Sequence, residues 1–174
     1  METADAIRTK RAVREFAHKD LPEAAILRIV NAGRRAQSSK NTQPWSFVVV
    51  RDPSIRQELS RLGTYAGHIA GAAMAVVLVS VDPATKPSIL FDLGQAAAYM
   101  QLAAWDVGIG SCLVTLYEPG EAAELLRLPP DQHARFAISF GYPADPTVIT
   151  APPKPTGRRP IQETVHWERW SGAG

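Results

Sequence analysis

The chain has 174 residues, of which 45% are apolar and 21% charged, with a formal net charge of +2. That length suits one folded domain with a substantial core, and so slight a basic excess argues against a general nucleic-acid binder. The single cysteine, Cys112, excludes an internal disulfide framework and a thiolate zinc cluster.

Residues 3–10 read as a short helix running into a basic cluster, KRAVR, from Lys10 to Arg14. Met1 to Arg14 is mixed and charged, without the apolar segment of a signal peptide, so a cytoplasmic protein is expected. Leu21-Pro22 precedes a helix over Glu23–Ala36. Its stripe is Ile26, Leu27, Ile29, Val30 and Ala36, with Arg28, Arg34 and Arg35 outside. The next stretch, SSKNTQPWSFVVV from Ser38 to Val50, crowds hydrogen-bonding groups against an apolar run. It is either an ordinary turn anchored by Pro44 and Trp45 or a surface shaped around a ligand.

Trp45–Val50 reads as a strand, and Asp52-Pro53 as the cap of a helix over Ser54–Leu62. Met74–Val81 is a nearly continuous apolar strand, expected to be buried on both faces. Two prolines make Asp82–Ser88 a loop. Ile89–Val107 (ILFDLGQAAAYMQLAAWDV) is the longest helical pattern, poor in charge and apolar all round, which predicts a central helix. Gly108 and Gly110 end it. Ser111–Leu116 then reads as a strand, Pro119–Leu126 as a short helix and Ala134–Gly141 as a fourth strand. The apolar runs are of strand length, so no membrane partner is expected.

Residues 143–160 carry six prolines and the cations Lys154, Arg158 and Arg159, which predicts an extended arm crossing the surface. Pro160–Trp170 holds two tryptophans and is too aromatic for a disordered tail. Trp167 and Trp170 either cover their own chain's core or dock on a partner subunit.

Several chemistries are absent. His18, His68, His133 and His166 stand in no metal-ligand spacing, and His18 and His166 read as surface residues. Cys112 has no cationic neighbour in sequence and reads as a core thiol. There is no Gly-x-Ser-x-Gly elbow and no P-loop. Gly108-Ile109-Gly110 follows a helix where a dinucleotide fingerprint follows a strand, and it lacks the third glycine. Two basic clusters remain, one at each end of the chain. They either converge on one phosphate, for which the planar fork of Arg is suited, or are solvated segment ends.

Taken in order, KRAVREF, SSKNTQPWSFVVV, FDLGQAAAYMQLAAWDVGIGSC, SFGYP and GRRPIQETVHWERW resemble the nitroreductase family of FMN-dependent oxidoreductases. The resemblance runs from residue 5 to residue 170. It implies a single α+β domain over residues 1–174, with a mostly antiparallel central sheet flanked by helices. Residues 143–174 would form an extended arm wrapping the partner of an intertwined homodimer, with the FMN sites at the interface.

The family's Arg-Arg-Ser-x-Arg motif reads here Lys10-Arg11-Ala12-Val13-Arg14. Lys10, Arg11 and Arg14 are therefore expected on the FMN phosphate and ribityl chain, without the hydroxyl that Ala12 replaces. Ser38, Ser39 and Asn41, in a loop where Gln37 stands for the family's Pro, are expected to reach the flavin from the other subunit. Leu113, Val114 and Thr115 are expected beside flavin N5, with the Thr115 N–H as donor to it. Arg158, with Arg159, would close on the phosphate.

The implied activity is ping-pong transfer of hydride from NAD(P)H through flavin N5 to a nitroaromatic, quinone or related small-molecule acceptor. The resemblance names no catalytic acid or base. Two alternatives stand beside it: a flavin-handling or oxygen-dependent relative that does not use NAD(P)H, and a non-catalytic flavin-binding protein. Larger members carry an extra helical excursion after the second strand. The short connection here leaves the site open, or roofed by Ser80–Ile89 or by Gly63–Gly71.

Overall fold

The sheet forms around the segment that has no polar face. β2 (Met74–Ser80) is buried at every residue, so water cannot satisfy its main chain and both its edges take antiparallel strands. β1 (Ser46–Val50) pairs on one side, β4 (His133–Gly141) on the other, and β3 (Gly110–Thr115) completes the order β1-β2-β4-β3. Every pairing is antiparallel. The computed structural model describes residues 1–152 and 157–170; Lys154 lies outside them.

Alternation divides β2 between two cores, as expected of a strand buried on both faces. Met74, Val76 and Leu78 pack with Ile138 and Phe140 beneath α2 (Glu23–Arg34) and α4 (Ser88–Trp105). Ala75, Val77 and Val79 face Leu59, Ile69 and Ala137, under α3 (Pro53–Leu59), the turn Ala66–Ile69 and α5 (Pro119–Leu126). α2 and α4 approach so closely that a Cβ on Gly33 would lie 2.1 Å from the Met100 methyl. Asp52 caps α3 as predicted, accepting from the amides of Ser54 (2.8 Å) and Ile55 (3.1 Å). The fold is the α+β arrangement that the resemblance implied.

α4 is only half of the central helix expected. Ile89, Leu93, Ala97 and Met100 are buried, but Leu90, Phe91 and Tyr99 face out, Phe91 with 73% of its surface exposed. The helix is apolar on two faces, and this chain covers one of them. Gly108, at φ +76°, turns the chain from α4 towards β3.

After α1 (Thr3–Thr9), residues 10–17 run along the β3 edge of the sheet. Val13 N–H donates to Ser111 O at 3.0 Å, Ala17 N–H to Tyr142 O at 2.9 Å and Ala144 N–H to Glu15 O at 3.0 Å. Val13 and Phe16 pack with Ala72 and Trp105, whose indole donates to Thr9 Oγ1 at 3.0 Å. This seam fixes where the basic cluster stands.

The arm is not wholly extended. α6 (Thr147–Thr150) interrupts it, and Asp145 just before it accepts from Thr147 N–H at 2.9 Å. Trp167 and Trp170 are 80% and 82% exposed, so neither covers its own chain's core. His166 is half-buried and stacks on Trp170 at 4.1 Å, where the sequence suggested an ordinary surface residue.

Candidate functional site

The seam between residues 10–14 and β3 gathers positive charge. Lys10 is half-buried, and burial pulls its ammonium below the ordinary lysine range. Arg14 reaches the Cys112 thiol, and Lys10 lies near enough to act on it. Among the described residues no carboxylate forms an ion pair with Lys10, Arg11 or Arg14. Arg11 turns the other way, its guanidinium donating to Ala151 O at 2.7 Å and Pro152 O at 3.3 Å, which anchors the start of the arm.

Cys112 is buried, as expected, but the absence of a cationic neighbour was a property of the sequence alone. The bridge Ala12↔Ser111 brings Lys10 and Arg14 to it. Burial still pushes the thiol up, ahead of the opposing pull of Arg14 and Lys10, so it does not gain thiolate character.

His68, given no role from the sequence, belongs to this cluster. Its Nδ1 lies 2.8 Å from Ser139 Oγ, and that hydroxyl donates to Cys112 O at 3.4 Å. Which of Nδ1 and Oγ donates to the other depends on the imidazole tautomer. Burial first, and Arg14 second, hold its pKa below the usual histidine range. No sequence spacing links His68 to Arg14; only the turn Ala66–Ile69 packed under the sheet does.

The outer edge of β3 is open for part of its length. In an antiparallel ladder a residue's N–H and C=O point to the same side. Ser111 turns its carbonyl outward to Val13, so Leu113 and Thr115 also face away from β4. Neither amide finds a main-chain acceptor among the described residues. The Thr115 end is lined by the backbone at Gly63, where a Cβ would come within 2.5 Å of Thr115 O. Val114 is buried, whereas Leu113 is exposed beside an apolar hollow of about 160 Å³ formed with Leu78, Leu93 and Phe136. The Ser111 hydroxyl is buried and has no hydrogen-bond partner among the described residues.

The polar loop is tied to α4. Ser38 Oγ accepts from Gln43 N–H at 2.9 Å, Ser39 N–H donates to Asp92, and Asn41 is exposed. No hydrogen bond or ion pair among the described residues joins Ser38, Ser39 or Asn41 to Lys10 or Arg14. Arg158 and Arg159 are exposed on the arm. The structure thus joins Lys10 and Arg14 to β3. Among the described residues no group of three or more His, Cys, Asp or Glu side chains could hold a metal ion. No described helix is long and apolar enough to cross a membrane.

The model of the nitroreductase family matches residues 7–64 and 62–142. An Archaeoglobus fulgidus protein, provisionally named NADH dehydrogenase/NAD(P)H nitroreductase, is 32% identical over 152 residues, 83% of this chain and 87% of that protein. Among solved structures, an FMN-dependent nitroreductase from Clostridium difficile superposes with a TM-score of 0.81 at 22% identity, covering 97% of this chain and 100% of that one. The NADPH:FMN oxidoreductase of Vibrio harveyi, complexed with NAD+, superposes with a TM-score of 0.85 at 23% identity, over 99% of this chain and 79% of that one.

Proposed function

The chain belongs to the nitroreductase family, and from that premise we propose that it is an FMN-dependent NAD(P)H oxidoreductase acting as a homodimer in the cytoplasm. The observation that carries the reading is the pair Lys10 and Arg14, two cations on the open edge of β3 with no carboxylate partner among the described residues. An anionic ligand supplies the missing partner. The orphaned Ser111 hydroxyl and the apolar hollow beside Leu113 fit a ligand with a polar chain and a flat apolar ring system.

In this reading Lys10 and Arg14 hold the FMN phosphate and ribityl chain. Arg11 fixes the start of the arm through Ala151 and Pro152, and the arm carries Arg158, with Arg159, towards the phosphate. Leu113, Val114 and Thr115 line the ring, and the outward Thr115 N–H is the donor to N5. Ser38, Ser39 and Asn41 complete the site from the partner subunit. The exposed faces of Phe91, Tyr99, Trp167 and Trp170 support a dimer that covers them. Bound there, FMN supplies two-electron transfer in ping-pong order, from NAD(P)H to a nitroaromatic, quinone or related acceptor. Lys10 and Arg14 favour negative charge developing beside them. The chain itself provides positioning and field, and no acid or base is assigned.

FMN added to the flavin-free protein should show saturable fluorescence quenching at about one FMN per chain, the stoichiometry of one preformed site per subunit. Quenching that never saturates would overturn the proposal. The pH dependence is specific. Because burial lowers the Lys10 pKa and a phosphate prefers the charged form, FMN affinity should fall as pH rises through that lowered value. Lys10→Arg keeps its charge and should flatten the fall. Identical profiles in the two proteins would remove Lys10 from the site.

A further inference from the structure

The loop after α2 holds an unfavourable backbone. Lys40, Asn41 and Gln43 adopt φ values of +54°, +55° and +47°, and none is glycine. The Cβ of an L residue makes this left-handed region costly, and it persists only where the surroundings over-determine it. The loop's own bonds, Gln43 N–H to Ser38 Oγ at 2.9 Å and Thr42 Oγ1 to Ser39 O at 3.0 Å, lie at the solvent surface. The hydrogen bond that ties it to the body of the fold runs from Ser39 N–H to both carboxylate oxygens of Asp92, at 3.1 and 3.2 Å.

Asp92 is itself anomalous. It is the one charged residue of α4, it is 2% exposed, and no cation forms an ion pair with it among the described residues. A carboxylate can accept about four hydrogen bonds, and among the described residues this one receives a single shared amide. Burying it so poorly satisfied costs stability that an apolar residue would not. Its geometry acts on one thing, the amide that opens the turn Ser39–Asn41.

We propose that Asp92 is a positioning residue that clamps Ser39 and so holds loop 38–43 in the shape that presents Ser38, Ser39 and Asn41 to the cofactor. This rests on the FMN reading above. With the clamp in place the ordering of the loop precedes binding; without it, binding must order the loop and affinity falls.

Amide hydrogen exchange on the flavin-free protein reads the clamp directly. The Ser39 amide should exchange about 100-fold more slowly than the amide of Lys40, which has no acceptor among the described residues. Equal rates would overturn the clamp whatever any variant does. In Asp92→Ala, loop exchange should rise and FMN affinity fall, each by about tenfold. Asp92→Asn keeps an acceptor oxygen for Ser39 and should stay within about threefold of wild type on both. Equal losses in the Asn and Ala variants would overturn the proposal, since a clamp needs only the acceptor, and so would an Ala variant unchanged in both. A wild-type protein that binds no FMN would sink the enzyme reading instead, while exchange still reports whether the clamp exists.

Discussion

Replacing Arg14 with Ala is expected to weaken FMN binding about 30-fold, the equivalent of about 2 kcal/mol for a charge-assisted contact. Arg14 is exposed and makes no ion pair among the described residues, so the melting temperature should hardly move. Two internal reporters check that the guanidinium acts where the structure puts it. Arg14 lowers the pKa of both His68 and Cys112, so His68 should titrate higher and the Cys112 thiol should move further up in the variant. FMN titration measures the first effect, and NMR of the His68 ring the second. Unchanged FMN affinity together with a shifted His68 would leave Arg14 in the cluster but take it off the cofactor.

Gly110→Ala should be strongly destabilising. A Cβ at this position would lie 2.7 Å from Val13 Cβ and Cγ2 and 2.8 Å from Cγ1. Val13 is buried and its branched side chain is stiff, so it cannot swing aside. Relief requires the strand to part from residues 10–14, which carry the cations. The expected loss is about 2 kcal/mol of stability, a fall of about 5 °C in melting temperature. Weaker FMN binding should accompany it, because the seam sets where Lys10 and Arg14 stand. Val13→Ala should rescue only part of the loss, since Val13 Cβ is itself one of the clashing atoms. Thermal melts of the two single variants and the double variant decide it.

The elements legible in the sequence are those set by local chemistry. Asp52-Pro53 announces a capped helix because an Asp before Pro satisfies amides within one turn of itself. Met74–Ser80 announces a strand buried on both sides because no residue in it wants water. What the sequence hid depends on contacts made across the chain. Cys112 acquires cationic neighbours only when β3 pairs with Ala12, and His68 joins Arg14 only through the packing of a short turn. The outward Leu90, Phe91 and Tyr99 are as apolar as the buried side chains of α4, so the sequence does not tell the two faces apart. Lys40, Asn41 and Gln43 carried no glycine to mark their positive φ. Asp92 did leave a signal. A lone charge in an otherwise uncharged helix is a position where something other than packing is being served.

Anaerobic mixing of the FMN-loaded protein with NADH and with NADPH, followed by the visible absorbance of the flavin, tests FMN-dependent NAD(P)H oxidoreduction most directly. At least one of the two nucleotides should bleach the band, and a quinone or nitroaromatic acceptor added afterwards should restore it. A protein that binds FMN but whose flavin neither nucleotide bleaches would contradict that activity.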